Sequence, residues 1–267
     1  MDLFVEQALH ALRHDGVSVH PGYLDNELLE AMREEFDRLV LTEEEGVKHI
    51  GHNPGRAFRI GLDELGFEGH RLQGSAILTA FDKAPLRDLA AALMPDASFC
   101  NAIIGTHDFR PIPITDIHFD THRRLKFMIY LDETTMGNGA FSYFPGSHGK
   151  NSRYRRIFKQ LGGPTMSIPN SIGERKRDRI WNIEGKAGTL IIFDTDGLHA
   201  GGVMQSGKSR RVIRAQCQVH EKGDPFLARM MPYRIRHSDY SPAMLYSRLV
   251  ARGYQATRGM AHSQNNR

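Results

Sequence analysis

Apolar residues follow a helical period through most of the first hundred positions and alternate with polar ones after that. Leu3, Val5, Ala8 and Leu12 share one side of a helix over Asp2 to Arg13 that ends near Asp15-Gly16. Val17-Ser18-Val19 reads as a short strand. With Asn26 as its N-cap, a second helix carries Leu28, Leu29, Met32, Phe36, Leu39 and Val40 on one face and runs to about Leu41. Residues 43–80 are polar and Gly-containing, and read as mobile loops over a site, with short strands between Arg56 and Leu65 that the pattern does not place. A further helix spans Pro85 to Leu93, with Pro near its start and Pro95 just beyond its end.

From Asp96 onward the period is that of strands. Phe99–Ile104, Asp116–Asp120, Leu125–Leu131, Ala140–Phe144, Gly188–Phe193 and Arg211–Val219 are short, rich in β-branched and aromatic residues, and bounded by Gly, Pro and polar turns. In the third of these, Leu125, Phe127, Ile129 and Leu131 make one apolar face. Lys126, Met128 and Tyr130 make the other, which in a barrel-like fold lines the interior. Helices followed by short strands predict an α+β chain, mainly β with flanking helices. Its core is an antiparallel double sheet, a jelly roll, with the N-terminal helices packed on one sheet. The expected layout is a single domain over 1–267. Residues 1–95 form a mainly helical cover, 96–220 the jelly-roll core with a basic insertion at 149–180, and 221–267 a C-terminal extension whose end, Tyr254 to Arg267, reads as flexible.

The chain has 267 residues, 40% of them hydrophobic and 25% charged, as a globular enzyme does. No basic leader precedes an apolar stretch at the N-terminus and no apolar run is long enough to cross a membrane, so the expectation is a cytoplasmic protein without a membrane partner. The two cysteines, Cys100 and Cys217, suit a reducing compartment and read as core residues. Between Lys150 and Arg179 nine Lys/Arg stand against two acids, Glu174 and Asp178. No aromatic residues interleave after Tyr154 and Phe158 to make a stacking platform, which argues against a nucleic-acid partner and leaves a solvated face or an anionic small molecule.

The chemistry concentrates in Ile117-His118-Phe119-Asp120-Thr121 and in Phe193-Asp194-Thr195-Asp196-Gly197-Leu198-His199. Residues two apart on a strand face the same way, so His118 and Asp120 can converge on one metal ion. His199 is the best third ligand, and two His plus one carboxylate is the donor set of non-haem Fe(II) oxygenases. His122 is a competing ligand, and Asp194 and Asp196 are potential acceptors for an imidazole N–H. His107 and Asp108 form a second polar pair at the rim.

Four features in order resemble the phytanoyl-CoA dioxygenase family of Fe(II)/2-oxoglutarate-dependent oxygenases. They are His118-Phe119-Asp120; Tyr130-Leu131-Asp132 through Asn138-Gly139-Ala140 to Pro145-Gly146-Ser147-His148; Gly188-Thr189-Leu190 to His199; and an arginine eleven residues further on, Arg210. The resemblance implies a double-stranded β-helix, the cupin-like form of the jelly roll, and iron on His118, Asp120 and His199, with 2-oxoglutarate chelating the metal, O2 as oxidant and ascorbate as a stimulant. Arg210 is then the bidentate clamp on the far carboxylate of 2-oxoglutarate, with Arg214 on the same strand face as a second basic group and Arg211 pointing away. Met128 stands where the family often has an aromatic residue against the co-substrate, and Lys126 is a plausible donor beside it. The implied reaction is hydroxylation of a C–H bond in a small polar or anionic metabolite, with formation of succinate and CO2. The other readings are a cupin-like metal- and ligand-binding protein without turnover, and an O2-independent hydrolase or isomerase on the same triad.

Overall fold

Four helices and twelve strands are described in the computed structural model, which covers residues 2–52, 55–62, 72, 74–95, 97–112, 114, 117–120, 123–149, 166–167 and 179–219. The expected C-terminal extension lies outside the described residues, as do His122 and nearly all of the basic insertion. Helix α1, Leu3–His14, is capped by Asp2, whose carboxylate accepts from Phe4 N at 3.0 Å. In α2, Asn26–Leu41, the cap is Asp25 and not Asn26: Asp25 is extended and accepts from Leu28 N at 2.8 Å, so the helix starts one residue earlier than expected. Helices α3, Ala76–Phe81, and α4, Ala84–Leu93, complete the cover, the latter with Pro85 in its first turn.

The strands are all paired antiparallel in two sheets. One runs in the order β1 (Val17–His20), β10 (Leu190–Asp194), β6 (Arg124–Tyr130), β12 (Arg210–Val219), β4 (Ala97–Asp108), β3 (Gly55–Gly61), β2 (Val47–Ile50). The other runs β8 (Met166–Ser167), β5 (His118–Phe119), β11 (His199–Gly201), β7 (Phe141–Tyr143), β9 (Trp181–Ile183). The fold is the expected jelly roll with helices on one sheet.

Segment 43–80 departs from the loop reading, because β2 and β3 form a hairpin on the edge of the larger sheet and α3 follows. Arg56 and Arg59 dilute the apolar signal there, yet Phe58 and Ile60 are fully buried on the helix side. The two-to-three-residue strands β8, β9 and β11 are too short to leave a period in the sequence.

Strand alternation divides the interior. Leu125, Phe127 and Ile129 of β6, Leu190 and Ile192 of β10, and Ile213, Ala215 and Cys217 of β12 face the helices. They pack with Leu9, Leu12, Met32, Phe36 and Leu39 in one cluster. Phe36 meets Phe58 edge-on at 5.4 Å. Each fully buried ring there contributes about 1.5–3 kcal/mol. Gly105 faces them, and a Cβ at that position would lie 2.4 Å from the Phe58 ring. Between the sheets Met128, Tyr130, Ile191, Phe193 and Val212 pack against Phe141 and Tyr143 of the smaller sheet. The same inner face carries Lys126, Arg210 and Arg214, in phase with Met128 and Val212. Arg211 points the other way and joins Asp132 and Asp37 at 2.7 and 2.8 Å, tying β12 to α2.

Candidate metal centre

His118 and His199 are direct cross-strand partners on β5 and β11, which sets their rings 4.4 Å apart. Asp120 follows two residues after His118, its backbone N–H held by Thr195 O at 3.0 Å. Its Oδ1 lies 3.6 Å from His118 Nε2 and 3.8 Å from His199 Nε2, and the three donor atoms fall within 4.8 Å of one another. The structure therefore brings together the three residues that the sequence singled out. His199 Nδ1 is 2.8 Å from Gly197 O; donating its proton there leaves Nε2 free for a metal. The imidazole is thus oriented by a backbone carbonyl. Asp194 and Asp196 do something else: Asp194 accepts two bonds from Arg123, at 2.8 and 3.0 Å, and Asp196 lies 3.9 Å from the same guanidinium.

The outer oxygen of Asp120 is held as firmly as the inner one is exposed to the imidazoles. Lys126 Nζ lies 2.8 Å from Oδ2 and Arg124 Nη1 3.1 Å from it. Lys126, expected beside a co-substrate, thus grips the carboxylate of a ligand residue. Burial pushes the Asp120 carboxyl up, but Lys126, His199 and Arg124 outweigh it and keep it well below the ordinary carboxylate range. Burial, reinforced by His118 and only partly opposed by Asp120, pushes His199 down to about 3. Charged carboxylate and neutral imidazole are the forms that bind a divalent ion. With one carboxylate oxygen facing two imidazole nitrogens and the other already bonded, the donor set fits a mononuclear metal of the Fe(II) type.

Arg210 is buried at the mouth of β12, directly across from Asp108 on β4. Its Nε and Nη2 donate to Asp108 Oδ2 at 3.1 and 2.7 Å, and Nη1 donates to Gly139 O. His52 holds the other Asp108 oxygen. The pair His107–Asp108 is split by strand alternation: Asp108 faces inward, while His107 turns outward against Phe109 at 5.2 Å. Arg214 stands two strand repeats further along β12, opposite Met128 on β6 and Ile104 on β4. Met128 is buried in the inter-sheet cluster, where the sequence put it. Arg124 and His52 are residues near the site that the sequence reading did not assign to it, and Asp108, expected at the rim, is fully buried on the inner face. Asp108 could have been found from its odd–even phase with Thr106 on the inner face.

Residues 105–212, which contain the triad, match the model of the phytanoyl-CoA dioxygenase family, PhyH. No curated protein matches the chain in sequence. Among solved structures, the non-heme alpha ketoglutarate dependent epimerase SnoN from nogalamycin biosynthesis aligns with 84% of this chain and 88% of its own, at 17% identity and a TM-score of 0.57. EctD from S. alaskensis aligns over 79% and 75%, at 16% identity and 0.57. HygX from Streptomyces hygroscopicus, crystallised with nickel, 2-oxoglutarate and hygromycin B, aligns over 81% and 87%, at 13% identity and 0.56. These likenesses establish the shared jelly roll. The family match spans His118, Asp120 and His199 in their expected order, so the segment from 105 to 212 is similar to the phytanoyl-CoA dioxygenase family.

Proposed function

We propose that the protein is an Fe(II)/2-oxoglutarate-dependent oxygenase that hydroxylates a C–H bond of a small polar or anionic metabolite. The observation that carries this reading is the convergence of His118, Asp120 and His199 on one point inside the segment that matches this family. Solved neighbours support the choice of ligands, since SnoN was crystallised with Fe3+ and alpha ketoglutarate and HygX with nickel and 2-oxoglutarate. They also span epimerase and carbocyclase chemistry, and hydroxylation is the simplest outcome of the same centre. Bound iron and 2-oxoglutarate supply an oxidant for the C–H bond, with O2 consumed and succinate and CO2 released.

The chain's own residues do the placing. His118, Asp120 and His199 would hold the metal through three donor atoms that lie within 4.8 Å of one another. Lys126 and Arg124 fix the Asp120 rotamer through its outer oxygen, so that the carboxylate binds through one atom. Arg210 and Arg214 supply guanidinium groups for a carboxylate, and Met128 gives the co-substrate an apolar wall. Phe141, Tyr143 and Phe193 pack around the His199 side of the centre and keep water from it.

The test is anaerobic and aerobic incubation of Fe(II)-loaded protein with ascorbate, 2-oxoglutarate and metabolite extracts. O2-dependent succinate formation, with a product heavier by one oxygen, is the expected result. Absence of both 2-oxoglutarate binding and succinate formation refutes the reading, and turnover that continues without O2 replaces it with a hydrolase or isomerase.

A further inference from the structure

Asp120 lies just beyond the end of β5, and the register of β5 with β11 consists of one pair, His118 and His199. A ladder that short sets the two imidazoles side by side but does not by itself fix the carboxylate. Hydrogen bonds between residues flanking the two strands do so. Asp120 N–H donates to Thr195 O and Thr195 N–H to Arg124 O, both at 3.0 Å, and Arg124 N–H donates to Thr195 Oγ1 at 2.8 Å. Arg123 closes the same seam with an ion pair, its Nε and Nη2 both donating to Asp194 Oδ2, at 3.0 and 2.8 Å. Asp194 is engaged through all of its polar atoms. Its N–H donates to Gly16 O at 2.9 Å, its O accepts from Tyr143 Oη at 2.9 Å and from Gly197 N–H at 3.0 Å, and its Oδ1 accepts from Asp196 N–H at 2.9 Å. Gly197 O in turn receives His199 Nδ1 at 2.8 Å. An unbroken path therefore runs from the Arg123 guanidinium through Asp194 and Gly197 to the His199 imidazole, while the adjoining backbone holds Asp120.

We propose that the Arg123–Asp194 pair is a positioning device for the metal centre: it sets the distance between Asp120 and His199, and with it the affinity and coordination geometry of the bound ion. The Arg123 side chain is 36% exposed, against 8% for Asp194, so the pair adds little to the stability of the fold as a whole. Two donors on one planar guanidinium give it direction instead, and partners of this kind behind metal ligands govern how the ligands point. The proposal rests on the metal-binding part of the oxygenase reading, and needs neither 2-oxoglutarate nor a substrate. A field effect would carry the opposite sign: removing the positive charge of Arg123 from beside a divalent ion strengthens binding, whereas loss of alignment weakens it.

The experiment titrates Mn(II), followed by electron paramagnetic resonance, and Co(II), followed by its visible absorption bands, into the full-length protein and into R123M, D194N and the double variant R123M/D194N. R123M changes the more exposed partner and leaves the backbone bonds of Asp194 in place. It should bind Mn(II) about 10- to 100-fold more weakly than the parent, with Co(II) bands that differ in position and shape. The double variant should bind no more weakly than the worse of the single ones, because either change alone already releases the pair. Three results overturn the proposal. One is an R123M affinity equal to the parent's or higher. Another is a weakened affinity with unchanged Co(II) bands, which reports fewer folded molecules and not a misaligned site. The third is a double variant whose loss is the product of the two single losses. A parent that binds neither ion overturns the metal-centre reading together with this proposal, whereas a parent that binds both, beside an R123M that matches it, overturns this proposal alone.

Discussion

Replacing Asp108 with Asn separates a buried ion pair from a decorative one. Asp108 is fully enclosed and Arg210 only 4% exposed, and the pair is joined by two N–H···O bonds at 2.7 and 3.1 Å. Asn keeps the shape and one acceptor oxygen but removes the charge that faces Arg210 and His52. An exposed pair would lose about 0–1 kcal/mol. Here the guanidinium is left enclosed and uncompensated, so the loss should be about 3–5 kcal/mol. In a chain of this size that lowers Tm by about 6–20 °C. Urea unfolding followed by far-UV circular dichroism measures it directly. The double variant D108N/R210M leaves no buried charge at the position and should recover most of the loss. Burial pushes the Asp108 carboxyl up, yet His52 and Arg210 outweigh it and hold it below its ordinary 3.8. A depressed folded value means that the stabilisation is complete above the unfolded value and disappears as pH falls through the folded one. The parent should therefore lose this contribution only in strong acid, and D108N should lack that part of the acid limb. An unfolding midpoint unchanged in D108N, or a double variant that loses the sum of the single losses, refutes the argument.

His199, pushed down to about 3, gives the metal-free protein a second pH signature. The unfolded chain takes up a proton at 6.5 that the folded one refuses until about 3, so stability should rise with pH across that window and level off above it; H199Q should flatten the slope in urea titrations at successive pH values. Lys126→Met frees one side of Asp120 Oδ2, and Mn(II) affinity measured by electron paramagnetic resonance should drop about 10- to 100-fold; an unchanged affinity would remove Lys126 from the positioning of Asp120. At Gly197 a Cβ would lie 1.8 Å from the buried Tyr143 Oη, so Gly197→Ala should destabilise the fold by about 1–3 kcal/mol and weaken metal binding through the Gly197 O contact to His199. Retained stability together with retained metal affinity in that variant would count against the tight turn before His199.

What the sequence made legible follows from the ranges over which its signals act. Helices α1, α2 and α4 bury long apolar stripes, and the alternation in Leu125–Leu131 separated helix-facing from metal-facing residues before any coordinates. The triad could be read because His118 on β5 and Asp120 just after it lie two residues apart, and the third member sits in a family-ordered segment. The short strands expected between Arg56 and Leu65 could not be placed, because Arg56 and Arg59 interrupt the apolar pattern of β3, which lies between β4 and the edge strand β2. Partners across the sheet were invisible for a different reason. Nothing in the local pattern says that Asp108 will face Arg210, since 102 residues separate them and only the β4–β12 register joins them. Lys126 illustrates both limits, for its face was predicted but its partner was not.

That hidden register also decides which arginine is free. Arg210 and Arg214 are four residues apart on one strand face and equivalent in sequence terms, but β4 places Asp108 opposite the first and Ile104 opposite the second. One guanidinium thereby becomes half of an ion pair, and the other remains a donor with an unbonded Nε. The inner face then holds Arg210, Arg214, Lys126 and Arg124 against two carboxylates, Asp108 and Asp120, before a divalent metal adds its own charge. A doubly charged 2-oxoglutarate offsets the metal and no more. The remaining positive excess on the inner face supports the proposed choice of an anionic substrate, which it would attract on entry and in the bound state.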